Sequence, residues 1–179
     1  HEYRGKFFPQ LVKALINSVN LQKGSILLDP MCGSGTALLE AKSMGMKTVG
    51  LDLNPLSVLI SEVKTELLDV NPQLILSFKE KIIKEIDNDH NKSQVSLPLP
   101  SEDLNYLSRW FDQETLNEVG KLLELINRTS EGVFNKFLKI CLSNIIRKVS
   151  WQKETDLRVR KEKREYTKGE VISSFKNEL

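Results

Sequence analysis

The stretch LLDPMCGSGTALLEA, from Leu27 to Ala41, constrains the fold more than any other. The apolar run Ile26-Leu27-Leu28 stops at Asp29-Pro30, bends through Gly33-Ser34-Gly35, and continues with Leu38, Leu39 and Ala41 on one helical face. A short apolar run of this kind suits a buried parallel strand. Glycines belong where a backbone takes left-handed angles or lets a ligand come close. Gly45 is placed to end the helix, and Thr48 to Leu51 reads as a second strand ending at Asp52. Strand, bend, helix and strand make a βαβ unit. Ligands of open α/β sheets bind in the crevice beyond the carboxyl ends of the strands.

The flanking segments read as helices. Pro9 opens one with Leu11, Val12, Leu15, Ile16 and Val19 on its apolar face, and Asn54-Pro55 caps and opens another along Leu56 to Leu67. Asn71-Pro72 begins a third, followed by a polar loop from Asp87 to Ser101 and a short helix around Leu104 and Leu107. Asp112 caps the next, Val133 to Val149 is a long apolar helix, and Thr167 with Glu170 forms the pattern of a capping box for a last one. Two strands are too few for an independent parallel sheet. The expected architecture is α/β and incomplete: a cofactor-binding part over 1–67, a helical insertion after the second strand over 68–150, and a basic segment with a helix over 151–179.

Two nucleotide-binding patterns fail here. The dinucleotide fingerprint needs a third glycine where Leu38 stands, and the P-loop needs a lysine that is absent. What remains is an acid at the end of each strand. Asp52 is placed to accept both hydroxyls of a ribose, and Asp29 to face a cationic amino-acid group. S-adenosylmethionine carries both features.

With these residues in view, LLDPMCGSGTALLEA resembles the cofactor loop of amino-methylating nucleic-acid methyltransferases. VGLDLNPLSV resembles the strand that follows it, and HEYRGKFFPQL the leading segment of bacterial DNA methyltransferases acting on the exocyclic amine of cytosine or adenine. SRWFDQETL is also similar to a segment of some members. The resemblance covers the first 67 residues, with its three motifs in order. It implies a Rossmann-like fold and S-adenosylmethionine as cofactor. It places Asp29, Pro30, Met31, Cys32, Gly33, Ser34, Gly35 and Thr36 around the methionine part, Asp52 on the ribose, Leu53 and Asn54 beside the adenine, and Phe8 and Pro9 over the cofactor. Met31 stands where the DNA enzymes commonly have phenylalanine and some RNA methyltransferases have methionine, so an RNA substrate is the first alternative.

The same families orient the base amine with an Asp, Asn or Ser followed by two prolines and an aromatic. No Pro-Pro pair occurs in this sequence; Pro98 and Pro100 are split by Leu99. The expectation is therefore an N-terminal, cofactor-binding half, inactive alone, whose catalytic half lies downstream or on a second subunit. The start at His1 rather than methionine fits a fragment. A non-catalytic subunit binding cofactor or DNA is the remaining alternative. DNA is the expected partner of the complete enzyme, in restriction-modification.

Cys32 and Cys141 match no zinc spacing, and neither His1 nor His90 is placed to activate Cys32. No metal is expected. The absence of an apolar run near 18 residues and of a signal-peptide pattern points to a cytoplasmic protein without membrane contact. From Arg147 to Lys168, nine basic residues stand against four acidic ones, a net charge of +5, with Trp151 and Tyr166 among them. Lys153, Arg158, Arg160, Lys161 and Arg164 are candidate phosphate contacts. A solvated charged helix or flexible loop accounts for the same composition.

Overall fold

The computed structural model describes residues 7–89, 95, 97–130, 132–153 and 159–179. The chain falls into two compact units, His1–Asn71 and Pro72–Leu179.

The first unit runs α1 (Pro9–Ser18), β1 (Ile26–Asp29), α2 (Thr36–Ser43), β2 (Lys47–Gly50) and α3 (Pro55–Leu67). The strands are parallel, with Ile26 opposite Lys47 and Asp29 opposite Gly50. Helix α2 packs on both strands and is flanked by α1 and α3. Local chemistry sets the helix limits. Pro9 and Pro55 occupy first-turn positions, and Asn54 Oδ1 accepts the Leu56 N–H at 3.0 Å. Gly45, at φ +86°, follows the last turn of α2. Strand β2 begins and ends one residue earlier than the sequence pattern predicts. Leu51 N–H still donates to Asp29 O, the end of β1, while its carbonyl turns to the bend and accepts from Cys32 N–H, both at 2.9 Å.

The two faces of this sheet differ. Leu27 packs with Val12, Ile16, Ala41 and Met46. Gly50 lies so close to α2 that an added Cβ would strike Leu38. On the opposite face Ile26, Leu28 and Val49 are exposed, Leu28 to 59%. The reading of β1 as a buried strand is therefore corrected: one face is covered by α2, and among the described residues no element covers the other. The apolar face predicted for α1 also divides, with Val12 and Ile16 buried and Leu11, Leu15 and Val19 in solvent.

The second unit is helical: α4 (Pro72–Asp89), α5 (Ser101–Leu107), α6 (Gln113–Arg128), α7 (Val133–Val149) and α8 (Glu170–Glu178). Its core gathers Ile82 and Ile86 of α4, Leu122, Leu125 and Ile126 of α6, Leu138 and Ile145 of α7, and Val171 and Phe175 of α8. Asp112 caps α6, Oδ1 accepting the Glu114 N–H at 2.8 Å. The capping box predicted for α8 does not form. Gly169 is the N-cap, at φ +78°, without a side-chain bond of its own. Glu118 of α6 caps the helix from a distance, accepting the N–H groups of Gly169 at 2.7 Å and Val171 at 3.2 Å and the Tyr166 hydroxyl at 2.6 Å.

Among the described residues, the charged segment after α7 is held by backbone pairing. Gln152 and Lys161 form an antiparallel bridge. Lys153 N–H donates to Arg160 O at 2.8 Å, and Glu162 N–H to Trp151 O at 2.7 Å. Two backbone runs thus pair as a hairpin.

Candidate functional site

The bend after β1 is built by its own backbone and fastened by its neighbours. Gly33 and Gly35 take positive φ, +50° and +76°, in a conformation that residues with a Cβ rarely adopt. Gly35 N–H closes the turn on Cys32 O at 2.8 Å. A Cβ on Gly35 would meet Ser61 Cβ at 2.5 Å and Cα at 2.9 Å, so the glycine also lets the bend lie against α3. Lys64 Nζ of α3 donates to Ser34 O at 2.9 Å. Ser61 and Lys64 are contributions that sequence reasoning missed. The available signal was weak: Ser57 and Ser61 interrupt the apolar stripe of α3 one turn apart, as small residues do where another chain segment comes close.

The two strand-end acids meet this bend. Asp52 Oδ2 accepts Gly33 N–H at 2.9 Å and Oδ1 accepts Asn54 N–H at 2.8 Å. Each oxygen retains a second lone pair, because an ionised carboxylate has about four acceptor sites. Asp29 Oδ1 accepts Met31 N–H at 3.1 Å. Both acids are half-buried. Helix α2 starts at Gly35 with no side-chain cap, so its first N–H groups are left to other partners. Ser34 Oγ is buried without a hydrogen-bond partner among the described residues.

The structure thus gathers Asp29, Pro30, Met31, Cys32, Gly33, Ser34, Gly35 and Thr36 with Asp52, Leu53 and Asn54 at one end of the sheet. Met31 and Leu53 project into solvent, 83% and 103% exposed, while Cys32, Gly33, Ser34 and Gly35 of the bend are buried. Phe8 and Pro9 begin α1, which packs on α2, and the Phe8 ring is 77% exposed. Cys32 is buried, its Sγ 3.8 Å from Ser61 Oγ. Among the described residues no cluster of three His, Cys, Asp or Glu side chains could hold a metal. No helix there is long and apolar enough to cross a membrane.

The donor and acceptor set can be tested against S-adenosylmethionine. Two carboxylates with spare lone pairs, an orphan buried hydroxyl, uncapped helix N–H groups and exposed apolar side chains beside the second acid match a molecule with a diol, an ammonium group, a carboxylate and a purine. The residues fit that group.

The RMKL-like methyltransferase domain (UPF0020) matches residues 2–96, just over half of the chain. The chain belongs to that family. This methyltransferase chain is also 31% identical over 128 residues to the Type II methyltransferase M.MjaII of Methanocaldococcus jannaschii. It is 28% identical over 178 residues to the Type II methyltransferase M.BsoBI of Geobacillus stearothermophilus. Those matches cover 72% and 99% of this chain but 20% and 33% of the relatives, so the chain spans a fifth to a third of their length. A tRNA (guanine(10)-N2)-dimethyltransferase of Methanocaldococcus jannaschii is 40% identical over 50 residues, 28% of this chain and 14% of the relative. No solved structure matches.

The basic candidates lie on and around the hairpin. Lys161 Nζ stands 5.0 Å from the centre of the Trp151 ring, and Lys163 Nζ, which the sequence reading counted but did not single out, stands 5.2 Å away. Lys153 pairs with Glu162 at 3.5 Å. Arg164 bonds Glu170 at 2.8 Å and Lys148 O at 2.7 Å, while its carbonyl accepts the Trp151 indole N–H. Arg160 is exposed, and Arg158 lies outside the described residues.

Proposed function

We propose that this chain supplies the S-adenosylmethionine site of a DNA methyltransferase that modifies an exocyclic base amine, as the modification partner in restriction-modification. In this reading 1–67 is the cofactor-binding part of a Rossmann-like domain, 68–150 a helical insertion, and 151–179 a basic segment leading toward the catalytic half. The observation that carries the proposal is the Asp52 carboxylate, which bonds the glycine bend and the Asn54 amide at once and keeps acceptor capacity on both oxygens. Membership of a methyltransferase family and likeness to Type II methyltransferases along most of this chain support it.

When bound, S-adenosylmethionine supplies an electrophilic methyl group on a sulfonium. Asp52 accepts the two ribose hydroxyls through its remaining lone pairs. Asp29 would face the ammonium group, and the uncapped first-turn amides of α2 with Ser34 Oγ would hold the amino-acid end. Leu53 and Asn54 would lie beside the adenine, with Phe8 and Pro9 over the cofactor. Such fixing of a reactant contributes through orientation. The chain has no Asp, Asn or Ser followed by two prolines to receive the base amine. That motif belongs to the catalytic half, on the same or a second polypeptide, and this chain alone transfers no methyl group.

Calorimetric titration with S-adenosylmethionine and its demethylated product tests the site. Binding to this chain is weak because Phe8, Met31 and Leu53 stand uncovered in solvent, and Asp52→Ala weakens it further by at least about 1.5 kcal/mol, roughly tenfold. Equal affinity for the variant removes Asp52 from the site. RNA is the second reading, favoured by Met31 and by the short match to a tRNA dimethyltransferase. Transfer of labelled methyl groups by the full-length enzyme, offered DNA and tRNA side by side, separates the two.

A further inference from the structure

We infer that the groove between α5, α7 and the basic hairpin holds an unstacked nucleobase whose flanking phosphates lie along the hairpin. This extends the nucleic-acid reading above and rests on it, but it concerns a different place: the groove lies wholly within the Pro72–Leu179 unit.

The groove encloses about 400 Å³, inside the range of about 300–1,000 Å³ usual for small-molecule sites. Tyr106, Trp110 and Phe111 give it three aromatic walls, with Arg147, Ser150 and Gln152 as polar neighbours. Among the described residues no carboxylate lines it. Aromatic platforms beside a cationic track are how proteins bind single-stranded nucleic acid, because every base has a π-face and every phosphate a charge.

The groove and the cationic track share residues. Gln152 lines the groove and is bridged to Lys161, and Val159, also in its lining, precedes Arg160. Over residues 151–168 the sequence carries seven basic side chains against four acidic ones, net +3. A strand whose phosphates follow that track therefore runs past the mouth of the groove. The second tryptophan is not the stacking platform. Its ring already has the Lys161 and Lys163 ammonium groups over it, and its N–H is bonded to Arg164 O at 3.2 Å, so Trp151 holds the cations in place. The ring offered to a base is Tyr106, 59% exposed. Gln152 also lines the groove, and a carboxamide can donate to and accept from a base edge.

The test is fluorescence anisotropy of the whole chain with a short single-stranded DNA, the same sequence as RNA, and an abasic strand of equal length and charge. Wild-type protein should prefer the intact strands. Tyr106→Ala should weaken intact-strand binding about tenfold, the value of one stacked base, and leave abasic binding unchanged, while Tyr106→Phe restores the preference. Lys161→Ala with Lys163→Ala should weaken intact and abasic strands alike and flatten the salt dependence. Tighter binding of the DNA or the RNA arm supports the site and identifies its source. Equal binding of intact and abasic strands, or an unaltered preference in Tyr106→Ala, overturns the groove while leaving phosphate binding by the hairpin standing. Failure of every strand to bind at low salt overturns both.

Discussion

At the residue scale, Gly35 carries two demands that no other side chain meets together. Its φ of +76° is left-handed, and its missing Cβ is the space occupied by Ser61. Backbone strain in that region costs about 1–2 kcal/mol, and forcing an extra carbon into a packed contact costs about 1–3 more. Gly35→Ala should therefore destabilise the first unit by at least about 2 kcal/mol, read as faster hydrogen exchange of the α2 and β2 amides. A variant with unchanged exchange contradicts the packing of bend on α3. The glycines themselves were legible in the sequence, because a turn between strand and helix states its needs locally. Ser61 and Lys64 were not. The Lys64 bond to Ser34 joins positions 30 residues apart, and nothing near either one announces the other.

At the element scale, the helices that sequence reasoning delimited well are those whose ends are set by adjacent residues: Pro9, Asn54-Pro55, Pro72 and Asp112. Helix α8 was expected, but its cap was misread because it comes from Glu118 on another helix. Thr167 and Glu170 spelled a box that was not needed once a full carboxylate sat at the helix N-terminus, where negative charge is favoured. The same carboxylate governs an alkaline response. Burial and then the bond to Glu118 push the Tyr166 phenol up from 10.0 to about 12. The folded protein holds this proton more tightly than the unfolded chain does. The phenol's contribution to stability is therefore complete below pH 10 and drains away as pH rises toward about 12. Cys141, pushed up to about 12 by burial and by Glu178, acts in the same direction from pH 9 upward. Chemical denaturation across this range should show a shallower alkaline decline in Tyr166→Phe than in the wild type. Parallel declines would mean that Tyr166 ionises freely.

At the scale of the whole molecule, the sequence made the shortage of strands visible but not its surface consequence. Ile26 and Leu28 read as interior residues because a parallel strand is usually covered on both sides; here they face water beside Val49. Apolar periodicity records what a strand is suited to bury, and a two-stranded piece can cover only one side. Leu28→Glu should therefore shift the stability of this chain by no more than about 0.5 kcal/mol, as surface changes do. In the proposed reading, a catalytic half completes the sheet and encloses that side, and there the same charge should cost several kcal/mol. Thermal denaturation of the variant in both contexts checks this, and equal small shifts would mean that the face stays wet in the larger protein.

The Asp52 carboxylate reaches back 19 residues to Gly33 while holding Asn54 beside it. One side chain thereby couples the mouth of the first loop to the mouth of the second. In the proposed site, a guest seated at either mouth would work a common lever on both.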